Sequence, residues 1–371
     1  MPCHEDWVKG FGENSPLSRK LWVDRSPRVD RELCPHYHLE HMSNTTQRPG
    51  WGIIGAGRIA AAQAADLRTA GLPLAAIGSR SIEKAQAFAE RFDIPYAHGS
   101  YEALVSDPDV QIVYIATPHP MHAPHAILAA EAGTHVLVEK PFTLNAKEAR
   151  AIFDAADKAG VIVMEAMWTR FLPMMHRIMN IISSGGIGDP RALLADHNQL
   201  IPYEASARLH EPELGGGALL DLGIYPLSFA QRIFGTPTRI TARGTLTDKG
   251  VDELVAIIME YGGGEQASIH TGFLTPGPNV ASVVGSSGRI DIDRTWYNQS
   301  SFTHYGPGGE IIERYEDTID GRGMQYQALE LERLVIEGQH ESKVMSREDT
   351  ISIMEQMDEI RRQIGVTYPG E

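Results

Sequence analysis

The stretch "WGIIGAGRIAAAQAADLRTA", Trp51–Ala70, decides the fold. A short apolar run meets a turn with two glycines and continues into an alanine-rich segment, which reads as strand, tight turn and helix. In "GAGRIA", Gly55 permits the tight turn, Gly57 lets a backbone approach a pyrophosphate, and Ala60 lets the helix lie close on its strand. Ala56, Arg58 and Ile59 complete the turn, and their N–H groups stand at a helix N-terminus, where an anion is favoured. A purely structural turn uses glycines in the same way. The strand before and the repeated strand–helix units after it favour a dinucleotide site.

Outward from this unit the rhythm repeats. "LPLAAIGSR", "QIVYIATP", "HVLVEKP" and "VIVMEAMW" read as buried strands; "SIEKAQAFAERFDI", "MHAPHAILAAEAG" and "NAKEARAIFDAADKAG" read as helices between them. Apolar strands alternating with amphipathic helices predict an α/β Rossmann domain, a doubly wound parallel sheet, over residues 50–170. After Phe171 the pattern changes to one helix and then strand-like segments: "TRITARGTL", "ELVAIIMEY", "EQASIHTGF", "NVASVVGS" and "GRIDIDR". Short connections between them predict hairpins, hence an α+β domain over 171–346 with a large, mostly antiparallel open sheet, for substrate binding and oligomerisation. Helices are expected near Met324–Glu337 and over 347–364, the second packing back near the first domain. Residues 1–49 carry Pro16, Pro27, Pro35 and Pro49 with no apolar period and are expected to form a poorly ordered extension. Their Cys3, His4, Cys34, His36, His38 and His41 match no zinc module, so no metal site is expected.

Lys and Arg number 33 against 48 Asp and Glu, a formal charge of −15, which argues against nucleic acid or an anionic membrane as the main partner. No apolar run has the length of a membrane helix and no secretory leader is visible, so a cytoplasmic protein is expected. The sheet face that no helix covers points to a homodimer or higher homo-oligomer. Both cysteines precede residue 50, so a cysteine nucleophile is not expected.

Candidate site residues gather at strand ends. Where an NAD enzyme places an acid on the ribose, this chain has Ser79 and Arg80, with Lys84 a helical turn on. A hydroxyl and cations suit a 2′-phosphate and favour NADP over NAD, although Arg80 stacked on adenine would serve either. "TPHPMH" sets Thr117, Pro118 and His122 at a carboxyl edge, and "EKP" sets Glu139 and Lys140 at another. Of His119, His122 and His125, His122 is the one expected beside the site. In "LGGGALLDLGIYPLSFAQRIFG", Leu214–Gly235, Asp221 and Tyr225 stand four apart on one helix face. They read either as a capped helix with a core tyrosine or as a proton-transfer pair.

The motifs "GAGRIA", "TPHPMH", "EKPFTLN", "EAMWTRF" and "GGGALLDLGIYPL", in this order, resemble the glucose-fructose oxidoreductase/inositol dehydrogenase/MocA family from residue 50 onward. "EAMWTRF" with "GIYPL" is most similar to its branch of trans-1,2-dihydrodiol dehydrogenases and NADP-dependent D-xylose dehydrogenases. The resemblance implies hydride transfer between nicotinamide and a sugar or cyclic trans-diol hydroxyl. It implies that Lys140 is catalytic with a cis bond to Pro141, that Asp221 faces substrate, and that Tyr225 is the acid/base, where many members have histidine. Trp168 and Arg170 are expected in the substrate wall. A Lys140 ammonium about 4 Å from the phenol would contribute about 4 kcal/mol at an effective dielectric near 20. That predicts a Tyr225 pKa lowered by about two or three units from 10. A non-catalytic NADP-binding regulator and an NAD-dependent glycosidase are the competing readings of the same motifs.

Overall fold

The computed structural model describes residues 48–371; the expectations for the amino-terminal arm fall outside the described residues. Strand β1 (Trp51–Ile54) and helix α1 (Arg58–Thr69) form the unit read first from the sequence. Then follow β2 (Leu74–Gly78), α2 (Ile82–Phe92), β3 (Tyr96–His98), α3 (Tyr101–Val105), β4 (Ile112–Ile115), α4 (His122–Glu131), β5 (His135–Glu139), α5 (Ala146–Ala159) and β6 (Val163–Ala166). The strands pair in parallel in the order β3-β2-β1-β4-β5-β6. Every residue of β1 and β4 is buried, as a central strand covered by helices on both faces requires. The helices bury one stripe each. In α2 these are Ala85, Phe88, Ala89 and Phe92, with Ser81 capping the start through the Lys84 N–H and left-handed Asp93 ending it. Strand order reverses between β1 and β4, so the crevice beyond their carboxyl ends lies between Gly55 and Thr117.

Helix α6 (Pro173–Ser183) leads to β7 (Pro190–Asn198), and helix α7 (Ile224–Phe234) follows a long connection. Strands β8 (Arg239–Leu246), β9 (Asp252–Glu260), β10 (Gln266–Gly272), β11 (Ala281–Gly285), β12 (Gly288–Ile292), β13 (Ser301–Tyr305) and β14 (Ile311–Glu316) complete a second sheet. Its order is β14-β13-β12-β11-β7-β10-β9-β8, antiparallel except where β7 meets β10. The sequence reading lacked β13 and β14. In β14 no residue is fully buried, so apolar alternation, the only local signal of a strand, is weak there. Along β7, Leu193, Ala195 and His197 face the helices, while Leu194 faces away and is exposed, as is Ile258 on β9. Helix α8 (Gln325–Glu337) packs on α1, and α9 (Arg347–Ile364) lies against α5 and α7. Ion pairs of Arg347 with Asp157 and Arg150 with Glu355 tie α9 to α5 of the first domain. No helix among the described residues is long and apolar enough to cross a membrane.

Candidate active site

The turn after β1 is built for close approach. Gly55 has φ +101°, and a Cβ there would stand 2.9 Å from the Ala116 carbonyl oxygen. Gly57 caps α1 without a side-chain hydrogen bond, and a Cβ at Gly57 would meet nothing within 4 Å. The first turn of α1 carries no acid. Free N–H groups, open space and a positive helix end together fit a dinucleotide pyrophosphate. At the end of β2, Ser79 is buried and accepts the Ser81 N–H at 3.3 Å, while Arg80 is exposed and its charge acts on Tyr101 and His125. The strip is not wholly cationic: Glu83 accepts the Ser81 hydroxyl at 2.7 Å, beside exposed Lys84. Thr117 Oγ1 lies 3.0 Å from His125 Nδ1.

Lys140 stands just beyond β5 and crosses to the second domain. Buried Glu139 accepts its backbone N–H at 3.1 Å and also the Tyr114 hydroxyl, and the Lys140–Pro141 bond is cis, as the family resemblance implies. Burial pushes the Glu139 carboxyl up to about 7 against the pull of Lys140. The Lys140 ammonium donates to the Asp221 carbonyl at 2.8 Å and to Asp221 Oδ1 at 3.2 Å. It lies over the Tyr225 ring, 5.0 Å from the centroid. Burial pulls the lysine down, but Asp221, Tyr225 and Glu139 outweigh it and hold it charged.

Asp221 and Tyr225 do not share an unbroken α-helix. Leu219–Gly223 form a π turn before α7. Pro226 has no N–H to give the carbonyl of Leu222 four residues back, and that oxygen accepts from His197 Nδ1 at 3.1 Å instead. The Tyr225 hydroxyl accepts from Trp168 Nε1 at 3.0 Å, which leaves its own proton uncommitted. The expected depression of its pKa is not found: burial raises the phenol, and Lys140 and Trp168 offset that only in part. Burial is the main reason, and the negative charges of Glu139 and Asp221, the latter the group that takes the ammonium's hydrogen bonds, add to it.

Arg208, which no motif marks, and His119, the loop histidine not favoured from sequence, complete the cluster. Arg208 Nη2 donates to Asp221 Oδ1 at 2.9 Å, and its Nη1 lies 2.9 Å from His119 Nε2. His119 Nδ1 lies 3.0 Å from the Gly215 carbonyl, so the bonding pattern assigns a neutral ring with the proton on Nδ1. Burial and then Arg208 hold His119 well below the usual histidine range. Burial alone would raise Asp221, yet Lys140 and Arg208 hold its carboxyl far below the usual range. Both bonds to that carboxylate fall on Oδ1. His119, rather than His122, is therefore the loop histidine that meets Asp221. Both ring nitrogens of buried His122 lie 2.8 Å from backbone carbonyls, of Pro141 and Thr117, so it joins the two loops from behind. Arg170 also departs from expectation. Its guanidinium is buried and bonds Ser228, the Val344 carbonyl and Asp349, a clamp on α9 rather than a substrate wall. A further wall is formed by His197, stacked 3.6 Å from Tyr297, with Gln199 donating to the Tyr297 hydroxyl at 3.1 Å.

Comparison with known proteins agrees with this geometry. Residues 50–167 match the family model described as "Oxidoreductase family, NAD-binding Rossmann fold", and residues 175–291 match the "GFO/IDH/MocA C-terminal domain". The trans-1,2-dihydrobenzene-1,2-diol dehydrogenase of Xenopus laevis is 36% identical over 86% of this chain and 99% of its own. That of Mus musculus is 35% identical over 86% and 98%. Among solved structures, aldose-aldose oxidoreductase from Caulobacter crescentus, complexed with glycerol, superposes with TM-score 0.77 at 25% identity, covering 85% of this chain and 97% of that one. The 3-ketoreductase KijD10 from Actinomadura kijaniata, with NADP and TDP-benzene, gives TM-score 0.75 at 25% identity over 86% and 98%. The chain is an oxidoreductase and belongs to the Gfo/Idh/MocA family.

Proposed function

We propose that the protein is an NADP-preferring dehydrogenase that moves a hydride between nicotinamide and a hydroxyl of an aldopyranose or a cyclic trans-diol, with aldopyranose oxidation to the lactone the favoured case. The observation that carries this reading is the meeting of Lys140, Asp221 and Tyr225, which lie on different domains: the ammonium contacts Asp221 twice and lies over the Tyr225 ring. The relatives named as dihydrodiol dehydrogenases and the aldose-aldose oxidoreductase neighbour support the substrate class. Gly55, Ala56, Gly57, Arg58 and Ile59 would hold the pyrophosphate; Ser79, Arg80 and Lys84 would take the 2′-phosphate; Thr117, Pro118 and Glu139 would line the nicotinamide end, with His122 supporting them. The cofactor supplies or accepts the hydride. The protein handles the proton. Tyr225, whose hydroxyl proton is uncommitted, gives it to a carbonyl oxygen in reduction and takes it back in oxidation. Lys140 and Arg208 favour negative charge on the substrate oxygen in the transition state. Asp221 Oδ2, left free by the bonds to Oδ1, would orient a neighbouring hydroxyl, and Trp168 holds the phenol in place.

The test is nicotinamide absorbance with NADP and NAD against pyranoses, inositols and cyclic diols. Tyr225→Phe is expected to lose about two to four orders of magnitude in turnover with NADPH binding intact. Retention of turnover within a few fold, or no reaction across the panel, would overturn the reading. The exposed Leu194 and Ile258, which lie in one row of the open sheet face, support self-association through that face. Sedimentation of Leu194→Glu against wild type checks it.

A further inference from the structure

The turn that opens the catalytic helix is held by a residue outside it. Asp252 begins β9 and has no solvent exposure. Its Oδ2 accepts the N–H of Leu219, the first residue of the π turn, at 2.6 Å. An N–H in the first turn of a helix has no carbonyl partner behind it, and a carboxylate there satisfies the donor and faces the positive end of the helix. The fit is close. Gly217 has φ +106°, and a Cβ there would lie 2.1 Å from Asp252 Oδ1. The neighbouring backbone is pinned as well. The Gly216 carbonyl accepts the Tyr368 hydroxyl at 2.6 Å, and the Gly217 N–H donates to Leu209, next to Arg208, at 2.9 Å. Strand β9, the carboxyl-terminal segment and the Arg208 loop thus converge on the turn just before Asp221.

Among the described residues no cation bonds to Asp252, and burial pushes its carboxyl up to about 7 against the Leu219, Asp252 and Ala218 N–H groups. A charge-bearing group kept dry next to a catalytic turn is costly as packing alone. We propose that Asp252 is a positioning residue for the reaction. By docking on Leu219 it sets the height of the π turn, so that Asp221 meets Lys140 and the Tyr225 hydroxyl meets Trp168. The kinetic part of this inference rests on Tyr225 being the acid/base; the geometric part does not.

The experiment uses the full chain with Asp252→Ala, which removes the acceptor, and Asp252→Asn, which keeps an oxygen for the Leu219 N–H. The alanine variant is expected to lose about 100-fold in kcat, the scale of a 1 Å misplacement, with the NADPH Kd within about threefold. The asparagine variant recovers to within about tenfold of wild type. A crystal structure of the alanine variant should show the Trp168–Tyr225 hydrogen bond broken, a result that needs no substrate. If Asp252 were only a stabilising cap, both variants would melt earlier and keep kcat for the folded protein, which overturns the proposal. So does an unshifted turn. Should the alanine variant not accumulate, Gly217→Ala forces the carboxylate away from Leu219; unchanged kcat in that variant overturns the proposal equally. A displaced turn together with an active Tyr225→Phe enzyme would sink the acid/base assignment and leave the positioning role standing.

Discussion

Replacing Lys140 with methionine keeps an unbranched side chain in the same space and removes one charge. The ammonium lies 5.0 Å from the centroid of the Tyr225 ring. At an effective dielectric near 20, that distance corresponds to about 3 kcal/mol of attraction for a phenolate. Loss of that attraction raises the phenol's pKa further, on top of the rise that burial already causes, and about 3 kcal/mol is a factor of about 100 in the ionised fraction. Oxidation of an alcohol needs the phenolate. Below the pKa the fraction ionised changes tenfold per pH unit, so oxidation by Lys140→Met at neutral pH is expected to fall about 100-fold. Its rising alkaline limb should move to higher pH. Reduction uses the protonated phenol, so its rate should stay flat with pH through the neutral range in both enzymes. Initial rates in both directions across the neutral and alkaline range decide the matter. A limb that does not move, or the same limb in Tyr225→Phe, would refute the coupling of these two residues.

Three other outcomes are expected. Burial pushes Glu165 up from 4.5 to about 7 against the Thr350 hydroxyl, so the folded chain holds a proton that the unfolded chain releases, and stability falls as pH rises through that window. Glu165→Gln lacks this loss, and urea denaturation should show its stability gaining on wild type by up to about 3 kcal/mol from the acid to the neutral end; a constant difference rejects it. Arg170→Met leaves Asp349 without its 2.8 Å ion-pair partner and should cost about 3 kcal/mol in unfolding experiments while the substrate KM holds; a raised substrate KM at unchanged stability would return Arg170 to the substrate wall. Arg80→Ala should weaken NADP binding about tenfold or more and NAD binding little, as fluorescence titration reads; equal loss for both removes the 2′-phosphate assignment.

The parts of this molecule that sequence made legible are those fixed by local rules. The glycine turn at Gly55–Gly57, the buried strands beside it and the helices between them follow from periods of two and 3.6 and from the conformational needs of glycine. Lys140, Asp221 and Tyr225 were legible through motif order. Arg208 and His119 were not, because what makes them part of the cluster is contact across 89 residues of chain, set by how the Gly215 turn folds back on the β4 loop. His122 and Arg170 depart in the opposite sense: each lies near a residue of the cluster in sequence, and each turns its polar atoms to backbone carbonyls or to α9. Sequence adjacency says where a backbone goes and leaves the direction of a side chain to packing. The same limit applies to the Tyr225 pKa, where distance alone predicted a fall and burial reversed it.

The dipeptide Tyr225-Pro226 connects these observations. A proline inside a helix costs a backbone hydrogen bond and is usually a defect. Here the carbonyl it leaves free, that of Leu222, accepts from His197 on β7, and the π turn around it presents the Asp221 carbonyl to Lys140 beyond β5. One acceptor fastens this helix to the second sheet; the other fastens the turn before it to the first. The Trp168–Tyr225 and Arg170–Ser228 hydrogen bonds tie the same helix to the segment that follows β6. Tyr225, in the first turn of α7, lies under the same Lys140 ammonium that binds the Asp221 carbonyl, which gives a physical reason for a phenol to sit in an apolar run immediately before a proline.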